Sequence, residues 1–129
     1  MTVYVSESSP SVLAGISKMK SAMVEDYKSF ITPLENSAIS TLIADSSPRR
    51  AKMNEEYVNS FEVKYGRKYI KILSNHSATA FIVATDEDKK FTKGDILKPA
   101  GYAAPARNAA RGNVLDGGYS INWTGPLYL

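Results

Sequence analysis

Six apolar residues recur near the start of the chain at helical spacing. Val12, Ile16, Met19, Met23, Tyr27 and Phe30 fall at steps of four, three, four, four and three. This stripe predicts an amphipathic helix, opened by Ser9 as N-cap with Pro10 at the first helical position and closed near Thr32-Pro33. A second periodic segment, residues 34–45, carries Leu34, Ala38, Ile39, Leu42 and Ile43. It stops at Ser46-Ser47-Pro48, because the residue before proline is pushed out of the helical region. The two helices either fold back on each other or continue across a kink. The first stripe is longer than a small sheet covers, so part of it is expected to pack against the same helix of another subunit; packing wholly within the chain is the alternative.

Residues 49–60 are polar and helix-compatible, with Met53 and Tyr57 four apart. The period then becomes two. Phe61, Val63 and Tyr65 alternate with Glu62 and Lys64, Gly66-Arg67 supplies a turn, and residues 69–73 return as a strand. Residues 74–78 are expected as a loop, 79–85 as a nearly continuous apolar strand, 86–90 as a charged turn with solvated side chains, and 91–97 as a strand made irregular by Gly94. Gly117-Gly118 turns the chain into a last short strand over 119–123, ended by Thr124-Gly125-Pro126. Helices followed by a meandering antiparallel sheet predict an α+β fold. The chain reads as a single domain, 1–129, with a helical part (1–60) and a β-rich, ligand-binding part (61–129).

Composition narrows the chemistry. There is no cysteine, and His76 is the single histidine, which removes disulfides, thiol nucleophiles and the usual zinc ligands. Neither a metal nor a cofactor is expected. No apolar run approaches bilayer length, and the start lacks a basic segment followed by an apolar one, so a cytosolic location is expected. The net charge of +3 is unevenly placed: residues 67–99 hold seven Lys or Arg against four acids. This bias is too mild for a duplex nucleic-acid face.

Catalytic constellations are missing from the sequence. His76 lies in a Ser-Asn-His-Ser loop between Ser74 and Ser77, but no serine sits in a glycine-framed elbow. Asp86, Glu87 and Asp88 share a turn with Lys89 and Lys90, and solvated turn charges account for them better than acid–base work does. No phosphate-binding loop with its lysine occurs, and Gly94 and Gly101 do not complete a dinucleotide fingerprint. Binding without catalysis is the expectation.

The stretch that would carry binding is residues 93–113, K-G-D-I-L-K-P-A-G-Y-A-A-P-A-R-N-A-A-R-G-N. A short helix over 105–110, with Pro105 in its first turn and Gly112 ending it, would set Arg107 and Arg111 on one face. Asn108, Asn113 and Asp116 lie nearby, and paired guanidiniums with adaptable amides suit an anionic, multiply oxygenated ligand. The competing reading has both arginines capping and solvating the helix. Of the aromatics Phe81, Phe91, Tyr102, Tyr119, Trp123 and Tyr128, most belong to the core and one or two are candidate platforms for a base.

The succession R-K-Y-I-K-I, H-S-A-T-A-F-I-V, K-G-D-I-L-K-P-A-G-Y-A-A-P-A-R-N-A-A-R-G-N-V and N-W-T-G-P, over about residues 67–126, resembles a set of small bacteriophage and prophage proteins. That set is associated with the first-described family of phage Thoeris anti-defence proteins, which act as signal sponges. The resemblance implies a non-enzymatic protein of the infected bacterial cytoplasm. It would sequester cyclic ADP-ribose isomers (glycocyclic ADP-ribose) made by TIR enzymes, with cyclic trinucleotides of the CBASS type at a separate site in some members. It also implies N-terminal helices, a C-terminal sheet, and dimers that can build hexamers. By position, Phe81 would be the base-stacking ring, Arg111 would lie across the base or on a phosphate, and Arg107, Asn113 and Asp116 would complete the polar wall. At Lys93 the family carries a small polar residue, so this chain departs from it there.

Three other readings compete. A nucleotide-degrading hydrolase would need an acid–base pair or a metal. A small RNA- or single-strand-binding module would use the basic segment and aromatic-rich sheet, and would show steep salt dependence. A phage structural or host-takeover protein would turn the basic stretch toward a protein partner.

Overall fold

The computed structural model describes residues 3–31 and 46–127, and the second helix expected over 34–45 lies outside them. In chain order the elements are β1 (Val3–Val5), α1 (Val12–Ile31), α2 (Ser46–Asn59), β2 (Glu62–Tyr65), β3 (Tyr69–Ser74), β4 (Ser77–Val83), β5 (Ile96–Leu97), β6 (Tyr119–Asn122) and β7 (Gly125–Pro126). They form two antiparallel sheets, ordered β1-β6-β7 and β2-β3-β4-β5. The fold is α+β, with the helices preceding a β-rich C-terminal part.

From Ile16 to Met23 the α1 stripe is buried within the chain. Ile16, Met19, Ala22 and Met23 pack on Ile70, Ile72, Ala80, Ile82 and Ile96 of the larger sheet and on Val114, Tyr119 and Ile121 toward the smaller one. Met19 and Met23 are fully buried, and burial of each such side chain contributes about 1.5–3 kcal/mol. From Val12 to Met23 the stripe is met by two sheets rather than by the single small one expected. The second sheet was unforeseen, because Val3–Val5 reads as a polar start and only its pairing with residues 119–121 makes it a strand. The helix also starts later than expected. Its cap is Ser11, whose hydroxyl accepts the Ala14 N–H at 3.2 Å, not Ser9. Gly15 allows the close approach of α1 to the following loop, since a Cβ there would lie 2.3 Å from the Val114 carbonyl oxygen.

α2 docks through Tyr57, whose ring stacks on Tyr27 at 4.3 Å and meets Phe61 edge-on at 5.1 Å. The Tyr57 hydroxyl donates to the Trp123 carbonyl at 2.6 Å, while buried Asp26 of α1 accepts the Trp123 N–H at 2.8 Å. Both backbone groups of one turn residue are thus held by helix side chains. Burial, then the charges of Asp26 and Tyr27, pushes the Tyr57 hydroxyl above the usual phenol range.

The strands follow the pattern of the sequence with three corrections. The loop expected over 74–78 is a tight turn at Asn75 and His76, whose φ values of 50° and 65° fit the left-handed turn that joins two adjacent antiparallel strands. The strand expected over 91–97 shrinks to β5, with Gly94 at φ 93° just before it. Thr124-Gly125-Pro126 does not end the last strand but turns back, so that Gly125–Pro126 pairs with β6. β4 is buried on both faces, as its continuous apolar run implies. Ala80 and Ile82 face α1, while Phe81 and Val83 form a second cluster with Phe91 and Leu97, covered by Tyr69, Ala78 and Ala110.

Candidate functional site

Residues 105–110 do not form the expected helix. Pro105 bridges Pro99 and Asn113 bridges Asp95. Between them the Ala106 and Arg111 N–H groups donate to the Lys98 and Ile96 carbonyls, both at 2.7 Å. The segment runs antiparallel beside β5 as an irregular outer edge of the larger sheet. So few residues between a proline and a glycine gain little by nucleating a helix, whereas the exposed side of β5 offers partners at once. Gly112 is not a helix terminator either: it has φ 145°, and a Cβ would sit 2.4 Å from the Tyr119 Cβ.

The two arginines consequently have different neighbours. Arg107 grips Asp88 with both ends of its fork, Nη1 to Oδ2 and Nη2 to Oδ1, each at 3.0 Å. It also donates to the Tyr69 hydroxyl and lies 4.9 Å above the Phe91 ring. Asp88 is no solvated turn charge: its side chain is 1% exposed, and its Oδ1 accepts the N–H groups of Lys90 and Phe91 at 2.8 and 2.9 Å. The Arg107 guanidinium, followed by those two N–H groups, holds the Asp88 carboxyl well below the usual carboxylate range. Lys90 closes the clasp in the other direction, its Nζ donating to the carbonyls of Arg107 at 2.7 Å and Asn108 at 3.0 Å.

Beside this clasp lies a cleft of about 370 Å³ lined by Arg67, Lys68, Thr85, Glu87, Asp88, Lys89 and Arg107. Cations outnumber carboxylates, and one of the two carboxylates, Asp88, is already turned onto Arg107 and approached by Lys68 at 3.9 Å. Sequence reasoning noted the density of basic residues over 67–99 but did not single out Arg67, Lys68 or Lys89. They become one site because the β3–β4 register pairs Tyr69 with Val83 and the Ala84 N–H donates to the Lys68 carbonyl at 2.9 Å, which brings two charged turns together.

The remaining candidates are dispersed. Arg111 is not part of the cleft lining. Its Nη1 donates to the Ala109 carbonyl at 2.7 Å and toward Asn108 Oδ1 at 3.4 Å, and its Nε is buried without a hydrogen-bond partner among the described residues. Burial, with the Arg111 charge adding to it, lowers the Lys98 amine below its usual range. Asn113 serves the backbone: its amide donates to the Lys93 carbonyl and Asp95, and its oxygen accepts the N–H groups of Leu115 and Asp116. Phe81 is 3% exposed and edge-on to Tyr69, so its ring faces are closed off by the second cluster. Asp116 is exposed and Lys93 half-buried. Tyr102 is exposed, with Lys71 Nζ 3.4 Å from its ring centre, and it borders a second hollow of about 300 Å³ beside His76 and Pro99. His76 occupies its turn without a serine partner among the described residues; the Ser74 hydroxyl is bonded to that of Thr79 at 2.7 Å.

Among the described residues no cluster of His, Cys, Asp or Glu is placed to hold a metal ion, and no helix is long and apolar enough to cross a membrane. No curated protein and no solved structure matches the chain. Residues 12–129 match DUF7717, a family of unknown function, and the chain belongs to that family.

Proposed function

We propose that this protein binds a small, multiply phosphorylated molecule in the Arg67–Arg107 cleft and releases it unaltered. The carrying observation is the surplus of cations around a cleft of about 370 Å³, a volume within the range of small-molecule sites. Arg107 is fixed there by a buried carboxylate, so it is ordered before any ligand arrives, which reduces the entropy cost of binding. The resemblance to Thoeris anti-defence sponges narrows the ligand to a cyclic ADP-ribose-type signal, with cyclic trinucleotides as a second class. In that reading the protein acts in the cytoplasm of an infected bacterium by affinity and copy number rather than by turnover. The reading moves the phosphate contacts from Arg111 to Arg67, Lys68 and Lys89, and leaves Phe81, expected as the base-stacking ring, in the core.

Titration calorimetry with glycocyclic ADP-ribose, followed by heat denaturation and mass spectrometry of the released ligand, tests it. Stoichiometric binding and recovery of intact ligand are expected; a cleaved product would make the protein an enzyme, and absence of binding would remove the signal assignment. Arg67→Ala and Lys89→Ala should each weaken binding about tenfold or more, as loss of a charge-assisted bond requires, while Arg111→Ala should leave it within a few-fold. The reverse ranking would return the site to Arg111. The exposed Tyr102 ring beneath Lys71 favours one alternative, a small nucleic-acid- or protein-binding module without catalysis. Oligonucleotide affinity falling steeply with salt would select the nucleic-acid form of it.

A further inference from the structure

Among the described residues β2 ends the larger sheet, and all of its residues are exposed. The hairpin to β3 determines which of its backbone groups face outward. Gly66 N–H donates to the Tyr69 carbonyl at 2.9 Å, and alternation along an antiparallel ladder then makes Lys64↔Lys71 and Glu62↔Leu73 the bonded pairs. The N–H and C=O groups of Val63 and Tyr65 therefore point away from β3, toward an edge that no strand among the described residues occupies. Val63 is 36% exposed and Tyr65 66%. Paired with Ile72 and Ile70, they lie on the α1 side of the sheet, while Glu62 and Lys64 lie on the opposite face.

We infer that this edge binds a second copy of the same chain, β2 against β2, antiparallel about a two-fold axis at Val63. The backbone allows only registers in which outward-facing residues meet outward-facing residues, so the axis passes through a residue and not between two. Centred on Glu62, the register sets carboxylate against carboxylate. Centred on Lys64, it sets ammonium against ammonium. Centred on Val63, each Glu62 lies opposite the partner's Lys64, twice by symmetry, at non-hydrogen-bonded positions where facing side chains come closest. On the other face Val63 meets its own copy and Tyr65 meets the partner's Phe61, a ring already seated against Tyr57. A lone edge lysine ordinarily blocks such pairing. Here Glu62, two residues before it, turns the block into a complement for a single register, so one arrangement is favoured and its slipped neighbours are penalised.

The absence of cysteine from the chain makes cross-linking selective. In a bonded antiparallel pair the Cα atoms are about 5.5 Å apart, within disulfide reach. Val63→Cys should therefore give a covalent dimer on mild oxidation, whereas Leu13→Cys, exposed on α1, should not at the same concentration. By sedimentation the unmodified protein should dimerise at micromolar concentration. Glu62→Lys should raise the dissociation constant at least about tenfold, as like charges placed opposite require. The double variant Glu62→Lys with Lys64→Glu should restore dimerisation, because the swap preserves complementarity in this register. Circular dichroism of each variant separates dissociation from unfolding. A monomer at all concentrations, a dimer indifferent to Glu62→Lys, or equal cross-linking at residues 13 and 63 overturns the inference. The test involves no ligand, so its failure leaves the binding reading untouched.

Discussion

Two aspartates with shielded side chains hold two parts of this protein in different ways. Asp26 accepts the Trp123 N–H beneath the aromatic group of Tyr27, Tyr57 and Trp123. Asp88 grips the guanidinium of Arg107 at the rim of the larger sheet. The first joins α1 to the smaller sheet through a neutral backbone donor and is part of the core. The second joins two loops through a charge pair and shapes the wall of a cleft. A carboxylate under an aromatic cluster secures the fold, whereas one under a guanidinium secures the position of a cation that a ligand can meet.

The largest effects should come from the Asp26 side. Met19→Ala should cost about 2–5 kcal/mol, and Asp26→Ala, which leaves the Trp123 N–H without its acceptor, about 1–3 kcal/mol, both read from urea unfolding. Equal or larger losses from Asp88→Ala would erase the distinction between the two regions.

The two regions should also fail at opposite ends of the pH scale. Tyr57 is raised in the folded protein, so its contribution is whole below the unfolded phenol value of about 10 and is lost as pH climbs through the higher native value. Asp88 is depressed, so its contribution is whole above the unfolded aspartate value of about 3.9 and is lost as pH falls through the lower native one. Tyrosinate absorbance combined with circular dichroism should show the helix–sheet junction opening in alkali, where Tyr119, pushed up to about 12 by burial, also begins to ionise. Hydrogen exchange in acid should show residues 105–111 loosening while α1 stays protected. Acid release of α1 before the loop would reverse the assignment.

The smallest effect on stability, and the most local, should follow Asp88→Ala. Exchange at the Ala106 and Arg111 amides, which bond to Lys98 and Ile96, should quicken severalfold with the unfolding midpoint nearly unchanged. Ligand affinity should fall as Arg107 loses its anchor. A variant whose loop exchange matches the parent protein would show that Lys90 alone holds the loop.

Elements whose pattern is local were legible in the sequence. The α1 stripe, the alternation through β2 and β3, and the apolar run of β4 each repeat within a few residues at a helical or strand period, so burial on one or both faces follows from the order of side chains alone. The absence of thiols and the concentration of positive charge over residues 67–99 were equally plain. Tertiary structure decided whatever depends on a distant partner. Val3–Val5 becomes a strand only beside residues 119–121, and residues 105–110, helical by composition, are drawn into extended pairing by the open side of β5. Asp88 reads as a surface charge until Arg107, far along the chain, reaches it, and Arg67 and Lys89 share a cleft only because the β3–β4 register brings their turns together. Local periodicity reports which face of an element is apolar; which faces and edges meet is settled by backbone hydrogen bonds and charges that must find partners across the whole chain.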